Sequence, residues 1–444
     1  MKTMFLSLAL LAAVSLPVMA NGGGYATGLK FTGSVAPFEA EGVDRVMIVR
    51  ENLDIVLGAK SAEVRVRYEM KNLMSASANV RFGFPVERVK GMQIEAKPPV
   101  HPAAYCRNYA VTAGGRKVKA EYLADPVTSG KAPKFPGSEV FNGIEGWMVS
   151  EVKFPAGETL VVEISYDSDY EQKSFSISDS GTTEPQRFRY RLSTGAVWNG
   201  PIGQGTVRVR IADGVDAAPV KVVAPANRFK KHPEGGWVWD FTDLEPTLAD
   251  DIEIHTTEEH FSTRDYTESR RGISEGYERI GKKWFWQHTD YTAGASSTLT
   301  SDKEHDYSAA GVKNPDDYET FLAWVEGKED DGIGESITLT QKSPAPVAAI
   351  LVRPGFGRDK SLWQANNRPK TLKITLNGKH SFTAPLEDKD VTQRIPVTGF
   401  TGEVKTVKLE IADVYKGTQF RDTAIAHVSL IRPLAKEPKF TGPR

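Results

Sequence analysis

Glu63-Val64-Arg65-Val66-Arg67-Tyr68-Glu69-Met70 trades polar for apolar at every step. A repeat of two is that of a β-strand, whose successive side chains point to opposite faces. Val64, Val66, Tyr68 and Met70 are therefore expected on a buried face, with the charged residues in water. The same pattern returns at residues 45–49, 80–84, 159–166 (after the turn Pro155-Ala156-Gly157), 187–192, 206–211 and 237–241. Long helical periodicity is absent, and Gly, Pro and Asn turns separate the strands. These features specify an all-β chain built of antiparallel sandwiches.

Working outward, residues 90–147 break the alternation. This stretch holds Lys97-Pro98-Pro99-Val100-His101-Pro102 and Gly130-Lys131-Ala132-Pro133-Lys134-Phe135-Pro136-Gly137. It is expected as an excursion from the first sandwich, with short strands at 109–112 and 117–122 around a Gly114-Gly115 turn. After Ile252-Glu253-Ile254-His255 the chain becomes strongly polar. An N-terminal β-sandwich region (21–261) is therefore expected to end in a polar linker (262–285). A second strand series follows at 336–340, 347–352, 371–376, 404–411 and 424–430, and residues 433–444 are expected as a loose tail.

The start carries one basic residue, Lys2, an apolar run from Met4 to Val14, the breaker Pro17 and the small-residue exit Val18-Met19-Ala20. This is the pattern of a signal peptide (1–20) cleaved before Asn21, since the run is too short to cross about 30 Å of hydrocarbon. No later stretch reads as a transmembrane segment, so an exported protein, periplasmic or extracellular, is expected. With 444 residues, 40% of them hydrophobic, the chain can bury more than one core. Its net charge of -1, with both signs interleaved, removes the basic field that nucleic-acid binding needs. Cys106 is the single cysteine, so no intramolecular disulfide can form.

Catalytic patterns are few. The sequence holds no Gly-x-Ser-x-Gly elbow, no phosphate-cradling loop and no His-Glu-x-x-His. His255-Thr256-Thr257-Glu258-Glu259-His260 misses an inverted zinc motif by one residue and reads as a polar domain edge. Cys106 with His101 could make a reactive thiolate, but Pro102 lies between them and no third group orients the pair, so an inert cysteine is expected.

The second half carries an ordered series of words. They are Ala295-Ser296-Ser297-Thr298-Leu299, Tyr307, Asn314, Asp317, Trp324-Val325-Glu326-Gly327 and Gly332-Ile333-Gly334-Glu335-Ser336-Ile337. Arg353-Pro354-Gly355-Phe356, Trp363, Asn366-Asn367-Arg368-Pro369-Lys370, Tyr415-Lys416-Gly417-Thr418 and Asp422-Thr423-Ala424-Ile425-Ala426 follow. Over residues 286–432 this resembles the discoidin (coagulation factor 5/8 type C) jelly roll, in the version named for the translocation domain of a streptococcal NAD glycohydrolase. The resemblance implies a galactose-binding-like sandwich that binds sugars, lipids or proteins through loops at one end. Tyr307, Arg353, Phe356, Asp359, Trp363, Asn366, Arg368 and Arg421 are the candidate ligand residues, because aromatic faces stack on sugar rings and Arg and Asp hydrogen-bond hydroxyls. Trp324 and Ile333 are expected in the core, with Gly332 and Gly334 permitting a tight backbone approach and Asn314 and Asp317 capping a loop.

Many members of that family hold a structural calcium. Its acidic side would be Asp316, Asp317 and Glu319, but the usual Thr position holds Leu322 and the terminal glutamate position holds His427, a poor ligand for a hard cation. No cofactor is expected. The first half resembles a family of uncharacterised bacterial exported proteins (DUF4424-like), through Asn21-Gly22-Gly23-Gly24, Ser193-Thr194-Gly195-Ala196-Val197-Trp198-Asn199-Gly200-Pro201-Ile202 and Trp237-Val238-Trp239-Asp240-Phe241-Thr242-Asp243-Leu244-Glu245-Pro246. Trp237 and Trp239 share a strand face and read as core, whereas Trp198 reads as the more exposed. The resulting expectation is a non-enzymatic binding protein for a glycan or other cell-envelope component, which could be a protein. Two alternatives stay open: an envelope hydrolase with its site in the excursion, and a strand-pairing partner in an envelope complex.

Overall fold

The computed structural model describes residues 45–87, 106–124, 144–177, 180–195, 198–264, 276–301, 306–313 and 323–439. The signal-peptide segment, His101, Asn314, Leu322 and the calcium candidates Asp316, Asp317 and Glu319 lie outside these residues. Among the described residues the one α-helix is Lys360–Ala365; nearly everything else regular is strand. The chain forms two compact units, one of residues up to Ser174 with Glu184–Glu258, the other of Phe175–Thr183 with Glu259–Arg444.

The first unit is built on an eight-stranded sheet. Its order is Lys230–Lys231, Trp237–Leu244, Ile202–Ile211, Val46–Leu57, Ser61–Asn72, Thr159–Asp169, Cys106–Ala113 and Arg116–Val118. Ser61–Asn72 buries Ala62, Val64, Val66, Tyr68 and Met70, as its alternation requires. Two three-stranded sheets share the same core through Val80, Phe84, Phe154, Phe188, Tyr190 and Ile254. One is Ala78–Glu87, Ile144–Phe154 and Ala120–Ala124, and the other is Arg187–Tyr190, Ile252–His255 and Lys221–Ala224.

Several expectations change here. Val46–Leu57 and Ile202–Ile211 pair in parallel, Arg50 opposite Gln204 through Leu57 opposite Ile211, so the sheet is mixed. The chain makes that return through several intervening strands, long enough for a parallel crossover. The described parts of the expected excursion are integral to the unit: Ile144–Phe154 pairs on both sides, and Trp147 is fully buried. Trp237 and Trp239 are buried as expected, but so is Trp198, at 4% exposure, because its ring belongs to the common core.

The second unit is a sandwich. One sheet contains Gln393–Pro396, Ala349–Pro354, Ala424–Leu434, Lys283–His288, Gly276–Ile280, His260–Arg264, Ser180–Thr183 and Ser174–Ile177, with Trp324–Val325 also pairing to Ala424–Leu434. The other runs Tyr291–Ala295, Ser336–Ala345, Val404–Tyr415, Arg368–Leu376 and His380–Pro385. Ile350, Val352, Val428 and Leu430 from the first meet Ile337, Leu339, Leu372, Ile374, Val407 and Leu409 from the second. Trp324 sits in this core, its indole N–H donating to the Ser297 carbonyl at 2.9 Å.

The described residues of the expected linker are strands: His260 pairs with Ile280, and Ile280 in turn with Lys283. The alternation Tyr277-Glu278-Arg279-Ile280 is polar enough to pass for a connection, yet Glu278 is held by Arg394 at 2.6 Å and His260 at 3.1 Å. Pro433 and Leu434, expected in the tail, continue the last strand. Ile333, expected in the core, is 54% exposed. Gly332 and Gly334 take φ of +68° and +92°, a sharp turn that projects Ile333 outward. A Cβ on Gly332 would lie 2.6 Å from the buried Glu326 side chain.

Candidate binding site at the loop end of the second unit

Four loops, around residues 326–334, 355–368, 386–390 and 415–423, are tied together by side chains. Asn367 is the central tie. Its amide N donates to Asp331 Oδ1 at 3.1 Å and to the Arg421 carbonyl at 2.7 Å, while its Oδ1 accepts from the Gly417 N–H at 2.7 Å. Asp331 also receives Lys416 and the Arg421 Nε, the latter at 3.3 Å, and these donors hold its carboxyl well below the usual range, Lys416 foremost. Its carbonyl accepts from the Thr423 hydroxyl at 2.8 Å. Beneath it Glu326 is fully buried and accepts from the Thr423 and Lys328 N–H groups; burial raises its carboxyl, and these two donors pull it back.

The loop after Pro354 carries five of the sequence-derived candidates. Asp359 caps the helix Lys360–Ala365, accepting from the Leu362 N–H at 2.8 Å and the Ser361 hydroxyl at 2.7 Å, which lowers its pKa. Trp363 is only 8% exposed, with its indole N–H on the Pro354 carbonyl at 3.0 Å. Phe356, 7% exposed, packs with Ala323, Val325 and Ala424, and its ring centroid is 6.1 Å from that of Tyr307. Arg368 grips Asp388 with two nitrogens at 2.7 and 3.1 Å and donates to the Trp363 and Asn366 carbonyls. Asn366 donates to the Leu362 carbonyl at 2.9 Å. Arg353, from the preceding strand, is buried and bonded to Asp390 at 3.0 Å.

The candidates thus divide. Trp363 and Phe356 offer no ring face to solvent, which corrects the reading of them as stacking platforms: the short helix folds back and seals both rings inward. Arg353 and Arg368 spend their donors on Asp390, Asp388 and main-chain carbonyls, so they stiffen the loops. Asp359 and Arg421 remain exposed, with Asn366 and Tyr307 half-buried. Sequence reading missed Lys416 and Asp331, which set the charge at this end, and the exposed Phe420 beside Arg421. Short-range spacing gave no signal for them, because Asp331 meets its partners across some ninety residues.

The weaker catalytic leads resolve separately. His255 pairs with Glu253 at 2.9 Å and His260 with Glu278 at 3.1 Å, so the two histidines serve different carboxylates. Burial pushes the Cys106 thiol up to about 12, with Asp167 adding to the rise, which keeps it protonated at neutral pH. His427 is buried within Ala424–Leu434. Among the described residues no helix is long and apolar enough to cross a membrane.

No curated protein matches the chain. A solved putative nutrient binding protein from Legionella pneumophila subsp. pneumophila str. Philadelphia 1 is similar at 16% identity and TM-score 0.34, over 49% of this chain and 68% of that one. The family 32 carbohydrate-binding module of C. perfringens NanJ, solved in complex with galactose, is 12% identical with TM-score 0.24, covering 32% of this chain and 95% of that chain. That of Streptococcus pneumoniae EndoD is 11% identical with TM-score 0.25, over 32% and 96%. Residues 284–431 match the family described as the NAD glycohydrolase translocation F5/8 type C domain, and this span, which holds all four loops of the cluster, is therefore a discoidin-type domain.

Proposed function

We propose that the chain is an exported binding protein whose discoidin-type domain recognises a glycan or another cell-envelope component at its loop end. The match of residues 284–431 to the F5/8 type C family is the observation that carries this reading. The loop end adds chemistry suited to it: a stiff frame pinned by Arg353, Arg368 and Asn367, from which Arg421, Lys416 and Asp359 reach solvent. A preorganised set of donors and acceptors loses little freedom when it meets sugar hydroxyls. Export rests on the apolar N-terminal run and on the resemblance of the first half to exported proteins.

The test is a glycan array and an envelope-fraction pull-down with the chain from Asn21 onward, beside Arg421→Ala and Asp359→Asn, which removes the charge and keeps the helix cap. Retention that either substitution lowers roughly ten-fold, with unchanged unfolding, supports the reading, since each removes a charged hydrogen-bonding group. Retention indifferent to both substitutions would reject the loop end as the site.

A further inference from the structure

A second, separate surface lies on the large sheet of the same unit, where the strands run past the matched domain. Tyr277 stands opposite Trp286, and Trp286 opposite Arg432, so the three side chains share one face across three strands. His288, on the same face, is buried at the margin of the domain core and stacks on Trp286 with centroids 4.4 Å apart. Two residues back along this strand, and on the strand beyond it, the core cover ends, and Trp286 and Tyr277 are only half-buried. There they border a cleft of about 520 Å³, completed by Leu434, Lys436, Pro438 and Lys439.

The charge at the rim of this cleft points to a ligand, whereas the Trp286 indole N–H is buried. Lys436 and Lys439, exposed at the rim, form no ion pair among the described residues, and neither does Arg432, which stands opposite Trp286 outside the cleft's lining. Arg279, by contrast, has Glu259 at 2.7 Å and Arg394 has Glu278 at 2.6 Å. The floor strands Gly276–Ile280 and Lys283–His288 are paired on both sides, so no main-chain edge is open to a peptide. A ligand must be read by ring faces and cations.

We propose that this cleft is a second binding site that takes an acidic saccharide, a pyranose chain bearing carboxylates. Tyr277 and Trp286 cover the apolar face of a sugar ring, while Lys436 and Lys439 neutralise carboxylates on it. The assignment goes beyond the loop-end reading, because most of the cleft's lining falls outside residues 284–431.

Calorimetric titration of the chain from Asn21 onward tests it, with oligomers of galacturonate, mannuronate and hyaluronan as probes, and cello-oligosaccharide and oligoglutamate for comparison. At least one uronate oligomer should bind roughly ten-fold more tightly than the neutral sugar, and added salt should weaken it, as rim charges are screened. Trp286→Ala, and independently the surface double variant Lys436→Glu with Lys439→Glu, should each weaken that binding roughly ten-fold. Arg421→Ala should leave it unchanged, which separates this site from the loop end. Binding of none of the uronates, equal or tighter binding of the neutral sugar or oligoglutamate, or indifference to the lysine reversal would overturn the proposal.

Discussion

The guanidinium of Arg368 lies over the ring of Trp363, 4.5 Å from its centroid, while its outer edge holds Asp388 with two nitrogens. One planar cation joins a buried aromatic ring, an acidic loop and two carbonyls. Lysine offers a point charge and cannot make this set of contacts. Arg368→Lys should cost about 1 kcal/mol and Arg368→Ala about 2–3 kcal/mol, since the alanine leaves the buried Trp363 carbonyl without its donor while Asp388 stays in solvent. Urea unfolding followed by tryptophan fluorescence measures both, and a loss below about 0.5 kcal/mol for the alanine variant would contradict the pinning role.

Glu51 gives the first unit a pH dependence of opposite sign to that of most carboxylates. It is 1% exposed, accepts from the Tyr190 hydroxyl at 3.2 Å, and its Oε2 has no hydrogen-bond partner. Burial raises its pKa from 4.5 to about 8, and the Tyr190 bond offsets only part of this. Between these values the folded chain keeps a proton that the unfolded chain has released, so stability falls as pH rises, by up to about 1.4 kcal/mol per unit. Below 4.5 both states hold the proton and the effect vanishes. Glu51→Gln should flatten the curve and stabilise the protein at pH 7 by roughly 2–4 kcal/mol. Urea midpoints collected from pH 5 to pH 8 decide it, and parallel curves for the two proteins would refute the account.

Gly355 and Gly214 both have positive φ, +87° and +77°, but only the first is crowded: a Cβ there would meet Trp363 at 2.6 Å, whereas Gly214 faces open space. Gly214→Ala should therefore cost only the backbone term of about 1–2 kcal/mol, and Gly355→Ala about 2–4 kcal/mol because the clash adds to it. Thermal melts of the two variants make the comparison, and equal losses would show that the Trp363 contact yields freely.

Cys106 should resist thiol reagents in the folded protein. Its sulfur is buried and protonated well above neutral pH. Labelling with a chromogenic disulfide at pH 8 should be slow in buffer and complete within seconds in denaturing urea, because the thiolate is the reactive form. Rapid labelling of the native protein would revive a nucleophilic role.

Strand positions were legible wherever alternation ran unbroken, as at Val64, Val66 and Tyr68. Glu51 was not legible, because the register shifts between Ile48 and Arg50: Val46 and Ile48 face the core, and after the bulge so do Glu51, Leu53 and Ile55. No window that assumes a fixed period can bury a carboxylate by such a change of phase. At the loop end, the ordered words located the domain and its loops. They could not say which side chains face water, since Ile333 turns outward and Trp363 inward through backbone turns set by Gly332, Gly334 and Gly355. Residues 262–285 read as a linker because a strand whose exposed side pairs Glu278 with Arg394 and His260 looks like a polar connection until its partners, far off in sequence, are known.

The hairpin at Ser174–Ile177 and Ser180–Thr183 is hydrogen-bonded to His260–Arg264, Ser180 opposite Thr263. On the ribosome this hairpin emerges before the strand that receives it, with the rest of the first unit's sequence, residues 184–258, still to be made. The outer border of the second unit therefore cannot close in the order of synthesis. Until residue 264 has left the exit tunnel, two short strands wait unpaired on their inner side, and a pause or nascent-chain cut within residues 184–258 would leave them as an open template for another molecule.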